Sequence, residues 1–124
     1  MPDLQCSVSN EGGLTVVAAS GDVDVATAGA LWEAISAQVT PSSAVVLDCA
    51  GITFMDSMGL QSLLRAYRYA DEQQGSFALV GIANSYVDRV LELTGMTQVI
   101  PHFTDVEAAR TDLAGRPGAP ERRA

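Results

Sequence analysis

The stretch AVVLDCAGITFMDSMGLQSLLRAY, residues 44–67, decides the fold of this chain. Residues 44–48 are apolar up to a closing aspartate, a pattern typical of a buried strand. Residues 51–55 are predicted to be a loop, and Asp56-Ser57 then opens a helix whose apolar residues recur at helical spacing. The predicted inward positions of that helix are Leu60, Leu63, Leu64 and Tyr67. A strand followed by an amphipathic helix predicts a βα unit and therefore a parallel sheet.

The residues before this stretch predict an antiparallel hairpin. Residues 4–9 alternate between apolar and polar side chains, as a half-buried strand does. The apolar positions are Leu4, Cys6 and Val8. Residues 14–20 are almost all apolar and predict a buried second strand, joined to the first by a tight turn at residues 10–13. Gly21–Asp24 is expected to break that second strand.

The rest of the chain continues the alternation of helices and strands. The predicted elements are a helix from about Ala26 to the break at Pro41-Ser42-Ser43, the helix opened by Asp56 and closed by Gly75, a strand at 77–81, a short helix from Asn84 to Gly95, a strand at 98–100 and a helix from Asp105 to about Ala114. Right-handed crossovers then make the sheet mixed but mostly parallel, so the predicted class is α/β with an N-terminal hairpin and flanking helices. Residues 1–114 form the one predicted domain, and residues 115–124 a predicted disordered tail.

The composition excludes several classes of function. All seven basic residues are arginines, so a P-loop and a Schiff-base mechanism, which need a lysine, are excluded. The net charge of −8 disfavours direct binding to nucleic acid or anionic lipid and favours a partner with a basic patch. No apolar run approaches the ~20 residues of a membrane span, and the first residues do not resemble a signal peptide. We therefore expect a cytoplasmic protein.

Acidic and hydroxyl side chains gather where the predicted parallel strands end. Asp22 and Asp24 follow the second strand. Asp48 ends the third strand, and Asp56-Ser57 begins the next helix. Sites in such sheets lie outside the carboxyl ends of the strands. The sequence therefore predicts that this edge of the sheet carries the function.

The residues at this edge allow three interpretations. Asp56-Ser57 taken alone is a helix N-cap, whose aspartate accepts hydrogen bonds from backbone N–H groups. Ser57 would act as a hydrolase nucleophile only with His102, the one histidine, as its base, and Met55 stands where the hydrolase turn needs a glycine. The aspartates would bind Mg²⁺ in a phospho-acceptor receiver, although such a site ordinarily also uses the lysine that this chain lacks.

The two cysteines give little support to a metal site. Cys6 and Cys49 are far apart and lack the paired spacing of structural zinc ligands. A zinc site would have to combine both cysteines with His102 and a carboxylate. Two reduced, semi-buried thiols are the expected state. We therefore expect neither a metal nor a cofactor.

Four segments of the chain carry a resemblance to a known family. The run ITFMDSMGL at 52–60 is the longest, and GDVD at 21–24 follows a G-E-L-D pattern. NSYVDRVLELTGM at 84–96 follows S-P-x-V-x-R-L-L-x-x-x-G-L, and residues 103–109 follow a closing F-x-x-x-x-x-A pattern. Together they resemble STAS domains, and most closely the bacterial anti-sigma-factor antagonists. The likeness spans about residues 4–113.

This resemblance implies a regulatory protein rather than an enzyme. Such antagonists act by partner switching: the unphosphorylated form binds an anti-sigma factor that is also a serine kinase, and this frees a sigma factor. Phosphorylation of one serine releases the partner, and a serine phosphatase resets the switch. Ser57 occupies the place of that serine, and Met58 replaces the small residue usual after it. The alternative is a non-switching STAS scaffold subunit of a stressosome or a transport complex.

The resemblance and the convergence at the sheet edge together predict a contact surface for the partner. We expect it to comprise Asp22, Asp24, Met55, Asp56, Ser57, Met58, Gly59, Gln61 and Arg65. The sequence does not indicate the oligomeric state, the sigma factor or the anti-sigma factor.

Overall fold

The computed structural model describes residues 4–115, which form a five-stranded sheet with helices on both faces. The strands are β1 (Leu4–Glu11), β2 (Leu14–Val23), β3 (Ala44–Met55), β4 (Ser76–Val80) and β5 (His102–Phe103). The helices are α1 (Ala28–Ser36), α2 (Ser57–Glu72), α3 (Ser85–Leu93), α4 (Met96–Val99) and α5 (Val106–Gly115). The strands are ordered β1-β2-β3-β4-β5; β1 is antiparallel to β2, and the other neighbouring pairs are parallel. The predicted α/β class with an N-terminal hairpin is confirmed.

The positions of the helices follow from the strand order. Because consecutive strands are neighbours, each right-handed crossover moves the chain in the same direction and leaves its helix on the same face. Buried side chains of α1, α2 and α3 accordingly share one core cluster with β2, β3 and β4. α5 covers the opposite face, where Ala109 belongs to a second cluster with Val16 and Val46. The carboxyl ends of β2 and β3 therefore lie beside the starts of α1 and α2.

The predicted hairpin of β1 and β2 forms through a two-residue turn. Glu11 pairs with Leu14, and the intervening Gly12 and Gly13 have φ angles of 57° and 90°. Positive φ at both central residues is the type I′ geometry of a two-residue hairpin turn, and glycine adopts it without strain. The predicted half-burial of β1 is wrong, because β1 is an edge strand and only Leu4 packs partly buried against the core.

β2 and β3 run farther than predicted, and this shapes the site. The sequence predicts a break at 21–24 and a loop at 51–55, but the two strands stay paired to their ends. The register shifts twice, once before Ser20 and once before Asp22, because β3 contributes an extra residue each time. These β-bulges destroy the two-residue period of an ordinary strand, so the stretch looks like a loop in the sequence.

The predicted last strand at 98–100 is also wrong. These residues form the end of α4 and its C-cap, and the strand that completes the sheet is β5. Gly95, with a φ of 81°, ends α3 in the left-handed conformation, after which the chain makes a new helical turn. Val99 and Ile100 favour a strand by propensity, and Ile100 is extended and buried in the main core, but it is the C-cap of α4 and has no strand partner within residues 4–115.

The inward face of α2 agrees only partly with the prediction. Leu63 is buried, and Leu60 and Tyr67 pack partly buried against the main core. Leu64 instead lines a groove between α1 and α2. Small residues complete the buried face: Gly59, Ser62, Ala66 and Ala70. The spacing of large apolar residues does not reveal these positions, where small side chains let the helix lie close to the sheet.

The final helix agrees with its prediction. The Oδ1 of Asp105 accepts a hydrogen bond from the N–H of Ala108 at 2.8 Å, and α5 ends at Gly115. The predicted tail at 115–124 lies, apart from Gly115, outside the described residues. No helix within residues 4–115 is both long enough and apolar enough to cross a membrane.

Candidate functional site

The start of α2 is fixed by the cap that its sequence predicts. The Oδ1 of Asp56 accepts hydrogen bonds from the N–H groups of Met58 at 2.9 Å and Gly59 at 3.1 Å. The N–H of Asp56 donates to the carbonyl oxygen of Val23 at 3.2 Å, which ties the helix start to the end of β2. Such a cap contributes about 1 kcal/mol to stability. Ser57, the first residue of α2, is thereby held at the edge of the sheet.

The loop that carries Asp24 is organised by Thr27, which the sequence motifs do not single out. The Thr27 hydroxyl donates to the carbonyl oxygen of Asp22 at 2.7 Å and accepts from the N–H of Asp24 at 2.9 Å. The Oδ1 of Asp24 accepts from the N–H of Ala26 at 2.9 Å. These bonds form a turn, so α1 begins at Ala28 rather than at Ala26. The signal for this turn is the D-x-x-T spacing of residues 24–27.

A second threonine holds the side chain of Asp22. The Thr53 hydroxyl donates to the Oδ1 of Asp22 at 2.8 Å, across the paired ends of β2 and β3. Thr53 is the extra residue of the second bulge, since Asp22 pairs with Phe54. Bulges often re-aim a side chain in this way beside a functional site. The sequence gives no signal for the contact, because the two residues are 31 positions apart.

Two residues predicted for the contact surface are buried instead. Met55 is 1% exposed and belongs to the main core, because it is the last residue of β3 and not a loop residue. Gly59 is also buried. A Cβ atom on Gly59 would lie 2.7 Å from the Cγ of Met55 and 2.8 Å from the carbonyl oxygen of Val23. Glycine is therefore the residue that lets α2 approach the end of β2 this closely.

The other predicted contact residues surround an exposed serine. Ser57 is exposed, and no hydrogen bond of its hydroxyl is found within residues 4–115. Met58 is 39% exposed, and Gln61 and Arg65 are exposed one and two turns further along α2. The three half-buried acids of the surface are Asp22, Asp24 and Asp56. We name the side chains of Asp22, Asp24, Asp56, Ser57 and Met58 the Ser57 surface.

Exposed apolar side chains that the motifs do not predict flank the Ser57 surface. Phe54 and Tyr86 stack with their ring centroids 5.8 Å apart and their planes at 10°, which links the end of β3 to the start of α3. Phe54 is 36% exposed and Tyr86 48%. Val25, next to Asp24, is 74% exposed. Exposed apolar groups beside polar ones are typical of surfaces that bind another protein.

The geometry argues against a serine hydrolase. His102 pairs with Leu79, which in turn is opposite Leu47 in β3. Ser57 lies beyond the far end of β3, so at about 3.3 Å per residue the two side chains are on the order of 20 Å apart. Proton transfer needs contact at about 3 Å. His102 therefore has no route to the Ser57 hydroxyl.

Asp48 and the two cysteines lie away from the Ser57 surface. Asp48 lies within β3, where its Oδ1 accepts from the N–H of Ala50 at 3.0 Å. Cys6 is exposed and Cys49 is buried, so the expectation of two semi-buried thiols is wrong. Burial, with a smaller contribution from the Asp48 carboxylate, raises the pKa of Cys49 to about 12, which keeps this thiol protonated. The described residues contain no group of three or more His, Cys, Asp or Glu side chains that could hold a metal ion.

Comparison with protein families and curated proteins gives a consistent result. The family model of the STAS domain matches residues 5–109. The anti-sigma-F factor antagonist RsfB of Mycobacterium tuberculosis is 30% identical over 116 residues, which are 92% of this chain and 93% of the relative. The anti-sigma F factor antagonist of Paenibacillus polymyxa is 29% identical over 115 residues, which are 90% and 96% of the two chains.

Solved structures are similar over the same span. The crystal structure of an anti-sigma factor antagonist from Mycobacterium paratuberculosis matches with a TM-score of 0.79 at 31% identity, over 90% of this chain and 95% of that chain. The anti-sigma factor antagonist SpoIIAA in its unphosphorylated form matches with a TM-score of 0.63 at 15% identity, over 92% of this chain and 99% of that chain, which supports the fold alone. From its matched residues, its relatives and its architecture, this chain belongs to the STAS domain family.

Proposed function

We propose that this chain is an anti-sigma-factor antagonist that switches partners through phosphorylation of Ser57. Its unphosphorylated form binds an anti-sigma factor that is also a serine kinase, and this frees a sigma factor. Phosphorylation releases the anti-sigma factor, and a serine phosphatase restores the binding form. The names of two relatives at 30% and 31% identity support this class. The protein then acts in the cytoplasm as a regulator and not as an enzyme.

One observation carries the proposal: an exposed serine lies at a rigid helix start beside an acidic loop. The cap by Asp56 fixes the backbone at Ser57, while the serine hydroxyl stays open to a kinase. The N-terminus of a helix has unpaired N–H groups and a partial positive charge, both of which favour a bound phosphate. Phosphorylation at this position is therefore compatible with the fold.

The size of the electrostatic effect fits a switch. A phosphate adds between about −1.5 and −2 charges next to Asp22, Asp24 and Asp56. In an interface that packs closely over Ser57, the phosphate loses its hydration, and a buried charge without a partner costs several kcal/mol. Moving a complex from 99% bound to 99% free takes about 5.5 kcal/mol. A single phosphate on the Ser57 surface is thus of the required magnitude, provided that the partner covers this surface.

The test is a kinase and binding assay with the host's anti-sigma factor kinases, each purified and mixed with this protein and ATP. With the cognate kinase we expect one phosphate, located on Ser57 by mass spectrometry. The complex should dissociate in ATP, and Ser57→Ala should keep it intact. Ser85→Ala is the matched control, because Ser85 is also the exposed first residue of a capped helix. This control should be phosphorylated and released like the wild type.

Two results would contradict the proposal. Phosphate on Ser85 or on another residue would remove Ser57 from the mechanism. A complex that stays intact after full phosphorylation of Ser57 would favour a non-switching scaffold.

A second experiment tests the contact surface. Asp24→Lys and Met58→Glu should each weaken binding to the anti-sigma factor without changing the circular dichroism spectrum. Unchanged affinity in both variants would mean that the partner binds elsewhere.

A further inference from the structure

A groove between α1 and α2 opens beside the Ser57 surface. Its volume is about 800 Å³, and Val25 and Met58 line it at the helix starts. Trp32 and Tyr69 line it further along, with their ring centroids 5.3 Å apart and their planes at 74°. This edge-to-face pair gives the groove a rigid apolar wall. The groove is thus continuous, through Met58, with the surface proposed to bind the partner.

Two arginines give the groove a charge that is unusual for this chain. Arg65 lies over Trp32, with its Cζ 3.9 Å from the ring centroid, and Arg68 lines the same groove. A guanidinium that stacks by its face keeps the N–H groups of its edge, and these bind a carboxylate in a bidentate manner. Glu72 is the one acid among the lining residues. The groove therefore offers donors for carboxylates beside an apolar wall.

The charge of the whole chain makes these arginines informative. The chain has 15 acidic and 7 basic residues, yet two arginines face this one groove. By comparison, Arg110 is paired with Glu107 on its own helix. A partner segment that matches the groove needs the opposite charge pattern from one that matches Asp22 and Asp24. The complementary ligand is acidic and apolar.

We propose that the groove binds an acidic amphipathic segment of the partner protein, with apolar side chains between α1 and α2 and carboxylates on Arg65 and Arg68. This inference deepens the proposed function and rests on it only in taking the segment to belong to the protein that Ser57 releases. The partner then meets two kinds of surface: it packs over unphosphorylated Ser57, and its acidic segment lies in the groove. Such a pattern fixes the orientation of the complex.

The test is a selection from displayed 16-residue peptides, with apolar residues fixed at helical spacing and the other positions free among Glu, Lys, Gln and Ser. We expect peptides selected on the wild-type protein to be rich in Glu. They should shift the emission of Trp32, the single tryptophan of the chain. Arg65→Glu/Arg68→Glu should lower their affinity at least tenfold, and Arg65→Gln/Arg68→Gln should lower it less. Arg89→Glu, on exposed α3, is the matched control and should have no effect.

The outcomes separate this inference from the proposed function. Enrichment of Lys, equal binding to the double variant, or failure to select any peptide would overturn the groove assignment and leave phosphorylation of Ser57 untouched. Acidic peptides that bind the groove in a protein never phosphorylated on Ser57 would support the groove alone. Sedimentation velocity tests another occupant: a dimer that Arg65→Glu/Arg68→Glu dissociates would assign the groove to a second copy and overturn the proposal.

Discussion

The helices α2 and α3 begin in a similar way, each with a polar cap and an exposed serine, yet differ in what surrounds them. Both follow a strand of the parallel sheet, and both have an exposed serine as their first residue. The matched pairs are the caps Asp56 and Asn84, the serines Ser57 and Ser85, the exposed Met58 and Tyr86, and the buried Gly59 and Val87. Only the start of α2 is hydrogen-bonded to the end of β2, next to two further acids.

This difference indicates which features would distinguish the proposed phosphorylation site. Two helices within residues 4–115 begin with an exposed serine, so the position of a serine alone does not make it a phosphorylation site. At α2 the added features are the charge of the cap, the acids of the turn at 22–24 and the close approach allowed by Gly59. α3 differs in two of these features, because its cap is the neutral Asn84 and its third residue is a valine, although its first turn carries an acid of its own, Asp88. Variants at the start of α3 can therefore serve as controls for the matching variants at the start of α2.

The largest expected difference between the two starts concerns partner binding. Ser57→Asp should weaken the complex with the anti-sigma factor at least 100-fold, whereas Ser85→Asp should change it less than twofold. Titration calorimetry measures the affinities of the wild type and of both variants. Equal losses for the two serine variants would show that the starts are not distinguished by the partner.

The next effect concerns the buried third residue of each helix. Gly59→Ala should lower the free energy of unfolding by about 2 kcal/mol, because the new Cβ overlaps Met55 and the backbone of Val23. Val87→Ala should lower the free energy of unfolding by a similar amount, because it leaves a cavity where Gly59→Ala overpacks the core. Gly29→Ala is the control, since a Cβ there meets nothing within 4 Å, and it should stabilise α1 by about 0.5–1 kcal/mol. Urea denaturation that finds Gly59→Ala stabilising would refute the close-approach argument.

The two helix caps should differ by a smaller amount in how much they contribute to the free energy of unfolding. Asp56→Ala should cost about 1.5 kcal/mol, because the carboxylate accepts two N–H groups and is charged at a helix N-terminus. Asn84→Ala should cost about 1 kcal/mol, since its neutral oxygen accepts the N–H of Val87 at 3.0 Å. Asp56→Asn should recover most of the loss. Thermal melts of the three variants test this order, and a larger loss for Asn84→Ala would reverse it.

Loss of the contact between Thr53 and Asp22 should have a smaller effect on stability. Thr53→Val removes one exposed hydrogen bond at an edge of the sheet, so we expect a loss of about 0.5 kcal/mol. The affinity for the anti-sigma factor should fall several-fold, because the Asp22 carboxylate is no longer held in place. Thr15→Val is the control: it removes an exposed side-chain hydrogen bond of the hairpin, to Asn10, far from the Ser57 surface. Equal affinities for the two variants would deny Thr53 a positioning role.

The smallest effect should be that of phosphorylation on the free protein. A phosphate on Ser57 gains about 0.3–1 kcal/mol from the helix dipole and loses a comparable amount to the screened charges of Asp22, Asp24 and Asp56. The melting temperature should therefore change by only a few degrees. NMR shift changes should stay near residues 21–25 and 53–62. Shifts spread through residues 14–20 and 77–81 would mean that the switch works by refolding.

Local signals explain what the sequence predicts well. Both helix starts are predictable because the cap and the N–H groups it binds lie within three residues of each other. The hairpin is predictable for the same reason, since its turn consists of two glycines. The βα alternation then leaves few topologies, so the sheet order follows from short-range patterns. The approximate position of the Ser57 surface is a consequence of that order.

Contacts between distant residues explain what the sequence misses. The bulges of β3 exist only against β2, and they turn a predicted loop into a strand that buries Ile52 and Met55. The bond from Thr53 to Asp22 spans 31 positions and leaves no pattern in either segment. At residues 98–100, propensity favours a strand, but residues 98 and 99 complete a helical turn that begins after Gly95, and β5 begins only at His102. The bulges and the Thr53 bond depend on tertiary contacts that no local pattern records.

The bonds that join the ends of β2 and β3 bear on the synthesis of the chain. Asp22 leaves the ribosome 35 residues before Ser57, and the two are brought together only when β3 has paired with β2. A nascent or damaged chain that lacks this pairing presents Ser57 with Asp56 but without Asp22 and Asp24. If the proposed partner needs Ser57 and these two acids together, it binds only chains in which β2 and β3 have paired.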